Sequence, residues 1–164
     1  MKKPRILVVE DYEPFSKLVC SSLQQSARFQ IFQASDGLEA VQKAEELKPD
    51  LILLDIGLPK LNGIEVAKRV LRLLPSTKIL FLSQLSDPDV AHETLRLGAH
   101  GYIHKLRINS ELATAIEAIL EGKRFISKGL GFGDEPNGFG RHEIQFFPTT
   151  EFFWRALLGL SAKP

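Results

Sequence analysis

The chain has 164 residues, 44% of them apolar and 25% charged, which suits one ordinary soluble domain and a remainder. A formal net charge of +1 offers no electrostatic case for nucleic acid or an anionic membrane, and no stretch approaches a membrane span. A single cysteine, Cys20, excludes an internal disulfide and fits a reducing compartment, so a cytoplasmic protein is expected. The basic start Met1-Lys2-Lys3-Pro4-Arg5 leads only into Ile6–Val9, too short an apolar run for a signal peptide.

Ile6-Leu7-Val8-Val9 predicts a strand buried on both faces, ending in Glu10-Asp11. Phe15, Leu18, Val19 and Leu23 then fall on one helical face, with Cys20 among them and Pro14 suited to the first turn. Phe29 and Ile31 alternate with Gln30, as an edge strand would. Asp36 and Glu39 have the spacing of a capping box, and Leu38, Val41, Ala44 and Leu47 mark the face of the helix behind it. Leu51-Ile52-Leu53-Leu54, bounded by Pro49 and Gly57, is a doubly buried strand that delivers Asp55. A helix follows through Ile64, Ala67, Val70, Leu71 and Leu74. Ile79 to Leu82 is another apolar strand, ending at Ser83. Asp87-Pro88 opens the next helix and Gly98 closes it. Gly101 to His104 reads as a weaker strand, followed by Lys105. Asn109 is expected to cap a last helix through Leu112, Ala115, Ile116 and Ile119, stopped by Gly122.

Strand and helix alternate five times, which predicts an α/β, doubly wound, five-stranded parallel sheet of order 2-1-3-4-5 over residues 1–122. Each parallel strand delivers its C-terminal residue to one rim, where open sheets of this class bind ligands. Glu10, Asp11, Asp55, Ser83 and Lys105 meet there. On its own Asp55 reads equally well as a cap for the next turn; the company decides. Carboxylates converging on one point repel one another and call for a cation, and all-oxygen ligands suit Mg²⁺. Lys105 offers a point charge and Ser83 a hydroxyl to phosphoryl oxygens. His92, His100, His104 and His142 end no strand in a way that supplies a base, and are read as surface or partly packed residues. Phosphoryl transfer onto Asp55 is the chemistry that remains.

Glu10-Asp11, Asp55-Ile56-Gly57-Leu58-Pro59 with Gly63, Ser83, and Gly101-Tyr102-Ile103-His104-Lys105 together resemble the receiver domain of bacterial two-component response regulators (CheY-like, and of the NarL type in the segment after it). That resemblance implies a flavodoxin-like fold and a phosphorelay role. Asp55 would take phosphate from a histidine kinase or phosphotransfer protein. Mg²⁺ would be held by Asp11, Asp55 and the Gly57 carbonyl, with Glu10 acting through water. Ser83 and Tyr102 would be the switch pair and Lys105 the phosphate contact. It implies no enzyme of its own, but signalling to a downstream protein partner, with a homodimer as one form. Three positions depart from the family's usual pattern. Gln84 follows the switch hydroxyl, Leu106 stands where a proline often follows the lysine, and Gly57 brings no side chain near an attacking water.

Residues 123–164 are expected as a Gly-rich linker and a short aromatic tail. Gly122 to Leu130 resembles the segment after NarL-type receivers, but Gly129 to Gly140 reads as flexible linker where helix-turn-helix helices would come next. Arg141 to Phe147 suggests a strand and Phe152 to Leu158 a short apolar helix. His142 to Phe147 weakly resembles the opening of a MEDS-type sensory domain, which would make the tail a truncated output or sensory domain. Neither its length nor its charge suits a DNA-binding module, so no nucleic-acid partner is expected. Two alternatives remain: a DNA-binding transcriptional regulator using the tail, or an aspartate-nucleophile phosphatase. The phosphatase would need a second aspartate two residues after Asp55, where Gly57 stands.

Overall fold

The structure is a computed structural model, and it describes residues 2–130. Its frame is a parallel sheet of β1 (Arg5–Val9), β2 (Gln30–Ala34), β3 (Leu51–Asp55), β4 (Lys78–Ser83) and β5 (Gly101–His104). A short β6 (Phe125–Ile126) joins at the far edge, giving the order β2-β1-β3-β4-β5-β6. The five expected strands and their order are present, and β6 is an addition. Helices α1 (Glu13–Gln24), α2 (Gly37–Leu47), α3 (Gly63–Leu73), α4 (Pro88–Leu97) and α5 (Ile108–Leu120) connect successive strands.

Alternation in the strands sorts the core into two layers. Ile6 and Val8, Leu51 and Leu53, Leu80 and Leu82, and Ile103 face α1 and α5, packing on Val19, Cys20, Leu23, Leu112 and Ile116. The intervening Leu7, Ile52, Leu54, Ile79, Phe81 and Tyr102 are equally buried on the other face, toward α2 and α4. Each such side chain contributes about 1.5–3 kcal/mol on leaving water, in addition to the ladder pairing of the central strands. β5, expected to be the weaker strand, is buried from Gly101 through Ile103 because β6 covers its outer edge.

Several local expectations shift. In α2 the buried stripe is Gly37, Ala40 and Ala44, while Leu38 is 50% exposed. Gly37 lies so close to the loop after β3 that an added Cβ would sit 1.8 Å from the Leu61 carbonyl oxygen, so the glycine side of the helix faces that loop. Leu18 in α1 is likewise 44% exposed. Asp36 does cap α2, accepting from the Glu39 N–H at 2.9 Å, but the Glu39 carboxylate returns to the Ser35 N–H. Asp87 and Pro88 open α4 and Gly98 ends it at φ 115°, as expected. Asn109 caps nothing. A 3₁₀ turn over Lys105–Arg107 runs straight into α5 and places Asn109 inside the helix.

After α5 the chain folds back to lie beside β5. Phe125 N–H bonds to the His100 carbonyl at 3.1 Å and Ser127 N–H to the Tyr102 carbonyl at 2.8 Å. The buried Ser127 hydroxyl donates to the Glu111 carboxylate on α5, and accepts from the His104 N–H at 3.1 Å. Arg107 Nε and the Lys128 N–H complete the shell of Glu111, at 2.7 and 3.1 Å. A buried carboxylate survives only with such partners. The expected strand over 141–147, the helix over 152–158, His142 and most of the glycine-rich stretch lie outside the described residues.

Candidate phosphoacceptor site

Sheet register brings the site residues together. Val9 pairs with Leu54, so Glu10 and Asp55 leave the sheet side by side. Asp55 pairs with Leu82 and Ser83 with His104, so Ser83 and Lys105 follow one step further out. Gly63 seats the loop that closes the rim. Its N–H donates to the Ile56 carbonyl at 2.8 Å, and an added Cβ would stand 2.0 Å from the Asp55 carbonyl oxygen. Asn62 then caps α3 through the Glu65 N–H at 3.0 Å.

Glu10, Asp11 and Asp55 each offer a carboxylate oxygen, all within 4.8 Å of one another. Glu10 is buried, Asp55 is 9% exposed, and Asp11 is open to solvent. Lys105 Nζ lies 2.5 Å from Glu10 Oε2 and 3.4 Å from Asp55 Oδ1, and offsets part of the repulsion. Burial raises the pKa of both buried carboxyls, Asp55 against the pull of Lys105 and Glu10 against its hydrogen bond with the same lysine. The Tyr12 N–H holds the second Glu10 oxygen at 3.1 Å. Three oxygens gathered this closely, with no nitrogen or sulfur donor, fit a hard divalent cation of the Mg²⁺ class. Gly57, in the loop that follows Asp55, is exposed.

Ser83 and Tyr102 share one loop residue. Ser83 Oγ accepts from the Leu85 N–H at 3.1 Å, and the Tyr102 hydroxyl donates to the Leu85 carbonyl at 2.7 Å. The Tyr102 ring is fully buried, and burial pushes its phenol up to about 12. His104 Nε2 lies 2.9 Å from the Gln84 carbonyl, tying the same loop to β5. His100 Nδ1 accepts from the Ile79 N–H at 3.1 Å, with its pKa lowered by burial to about 4. These two histidines are structural, as expected. Gln84 is exposed, and Leu106 is 89% exposed at the rim. No peptide bond is cis among the described residues.

Sequence reading missed two features of this region. Phe15 presents its ring to Lys105, with Nζ 4.6 Å from the ring centroid. The Glu111–Ser127 pair anchors the segment beside β5. Neither partner of either pair is near the other in sequence.

A profile of the family described as "Response regulator receiver domain" matches residues 6–117. The chain belongs to that family. Receivers are the signalling modules of two-component systems, and they bind Mg²⁺ at an acidic pocket, which here corresponds to the Glu10, Asp11 and Asp55 cluster. The receiver is 30% identical over 116 residues to the chemotaxis protein CheY of Thermotoga maritima, covering 70% of this chain and 96% of that one. It is 33% identical over 120 residues to the transcriptional regulatory protein LiaR of Bacillus subtilis, covering 73% of this chain and 57% of that one. Among solved structures it resembles a LuxR-family two-component response regulator from Aurantimonas sp. SI85-9A1. The TM-score is 0.74 and identity 28%, over 79% of this chain and 93% of that one. The chain spans 53–58% of the length of the first curated relatives it matches. Several of these are named transcriptional regulators, so the expectation of no nucleic-acid partner finds no support in them. Among the described residues no helix is long and apolar enough to cross a membrane.

Proposed function

We propose that this receiver accepts a phosphoryl group on Asp55 from a histidine kinase or phosphotransfer protein and passes its state on by protein contact. The observation that supports this best is the placement of Lys105 Nζ 3.4 Å from Asp55, beside a cluster of carboxylate oxygens. An Asp55 carboxylate oxygen attacks the phosphorus of a phosphohistidine. A P–O bond forms as the P–N bond breaks, the bonding pair returns to the imidazole nitrogen, and an aspartyl phosphate results. Mg²⁺ held by Asp11, Asp55 and the Gly57 carbonyl, with Glu10 acting through water, would supply positive charge to the phosphoryl oxygens. Lys105 meets one of those oxygens and the Ser83 hydroxyl another.

The signal leaves through Leu85. Turning Ser83 Oγ toward the phosphoryl group withdraws it from the Leu85 N–H, while Tyr102 holds the Leu85 carbonyl. That loop leads into α4, so the surface altered comprises α4, β5 and α5. A second copy of the chain or a downstream protein would read it. Sedimentation with and without a beryllofluoride mimic tests this: assembly changes in wild type and most of the change is lost in Ser83→Ala. An undiminished response in Ser83→Ala removes the serine from the route.

A second reading has its own support. The names of several relatives favour a receiver that governs a transcriptional regulator. Phosphorylation-dependent retention on promoter DNA would distinguish it from contact signalling alone.

A further inference from the structure

Lys105 is held from three sides. Glu10 and Asp55 hold it by charge, and the Phe15 ring lies 4.6 Å from Nζ. Phe15 follows Pro14 in α1 and packs its body against the apolar layer between the sheet and α1 and α5. The carboxylates and the ring hold an ammonium differently. A carboxylate competes for the N–H donors, and its attraction falls when a second cation arrives or the carboxylate is esterified. The face of a ring attracts the cation through its quadrupole, leaves the donors free, and is unchanged by either event. A lysine side chain released from its carboxylates regains much rotamer freedom and leaves the pocket.

We infer that Phe15 is a positioning residue whose ring face keeps the Lys105 ammonium over Asp55 while the phosphoryl group arrives. The inference rests on the reading of Lys105 as the phosphate contact. Phe15 is tied to that role by the ring face it presents to Lys105, which an aliphatic side chain lacks.

Two measurements test it. In the metal-free protein, NMR should find the Lys105 ε-methylene protons shifted upfield by the ring, a shift lost in Phe15→Leu and kept in Phe15→Tyr. In phosphorylation by a small phosphodonor with Mg²⁺, Phe15→Leu should lower the rate at saturating donor roughly three- to tenfold with unchanged Mg²⁺ affinity, in protein that is still folded at the assay temperature, and Phe15→Tyr should restore it. In a Lys105→Ala background, Phe15→Leu should cost nothing further. Unshifted ε-methylene protons in wild type overturn the inference without any variant. A Phe15→Tyr protein as slow as Phe15→Leu, or a full Phe15→Leu loss persisting without Lys105, also overturns it. If Lys105→Ala is slow but Phe15→Leu is not, the inference fails and the site reading stands. If Lys105→Ala itself runs at the wild-type rate, the reading of Lys105 fails first.

Discussion

Glu111 shows what a single buried carboxylate does for this fold. Burial alone would raise its pKa, but bonds from Ser127, Arg107 and the Lys128 N–H outweigh that and leave it below its ordinary 4.5. A lowered folded pKa contributes stability above the unfolded value, lost as pH falls through the folded one. The stability gap between wild type and Glu111→Gln should therefore be constant at neutral pH and shrink below about pH 4.5. Urea unfolding across that range checks it; a gap that widens in acid would reverse the assignment. Tyr102→Phe should cost about 1 kcal/mol in the same assay, through the lost bond to the Leu85 carbonyl. The residues at the candidate site were legible because a parallel sheet sends every strand end to one rim, so Glu10, Asp55, Ser83 and Lys105 could be placed from strand ends alone. Glu111 and Ser127 were not, since nothing in a helical Glu or a loop Ser announces a partner 16 residues away.

At the scale of elements, apolar runs and caps identified the five α-helices and the five long strands among the described residues. The errors are rotations and ends. Leu38 faces water while its neighbour Gly37 lies against the Leu61 carbonyl, a contact no periodicity encodes. Asn109 lost its role to a 3₁₀ turn that extends the helix backward. β6 has two residues, too few to show a period, and exists because Ser127 and Phe125 bond β5. Gly63 gives the sharpest element-level prediction. Gly63→Ala forces its Cβ onto the Asp55 carbonyl, 2.0 Å away, and should destabilise by about 3 kcal/mol. Urea unfolding measures it, and a change under about 1 kcal/mol would mean that the loop moves aside at little cost. Ser127→Ala should raise hydrogen exchange at the His104 and Lys128 amides while leaving β3 protected. Unchanged exchange at both amides would show that the strand pairing alone holds the segment.

Across the whole receiver, the parallel sheet gathers the acidic cluster and Lys105 at one rim, where the proposed function sits. In the proposed function, kinase, switch and output all depend on one bond, between phosphorus and an Asp55 oxygen. Intact mass spectrometry after incubation with a small phosphodonor and Mg²⁺ tests that bond most directly. One phosphoryl adduct is expected on wild type and none on a folded Asp55→Asn protein. Equal labelling of the two would contradict the account.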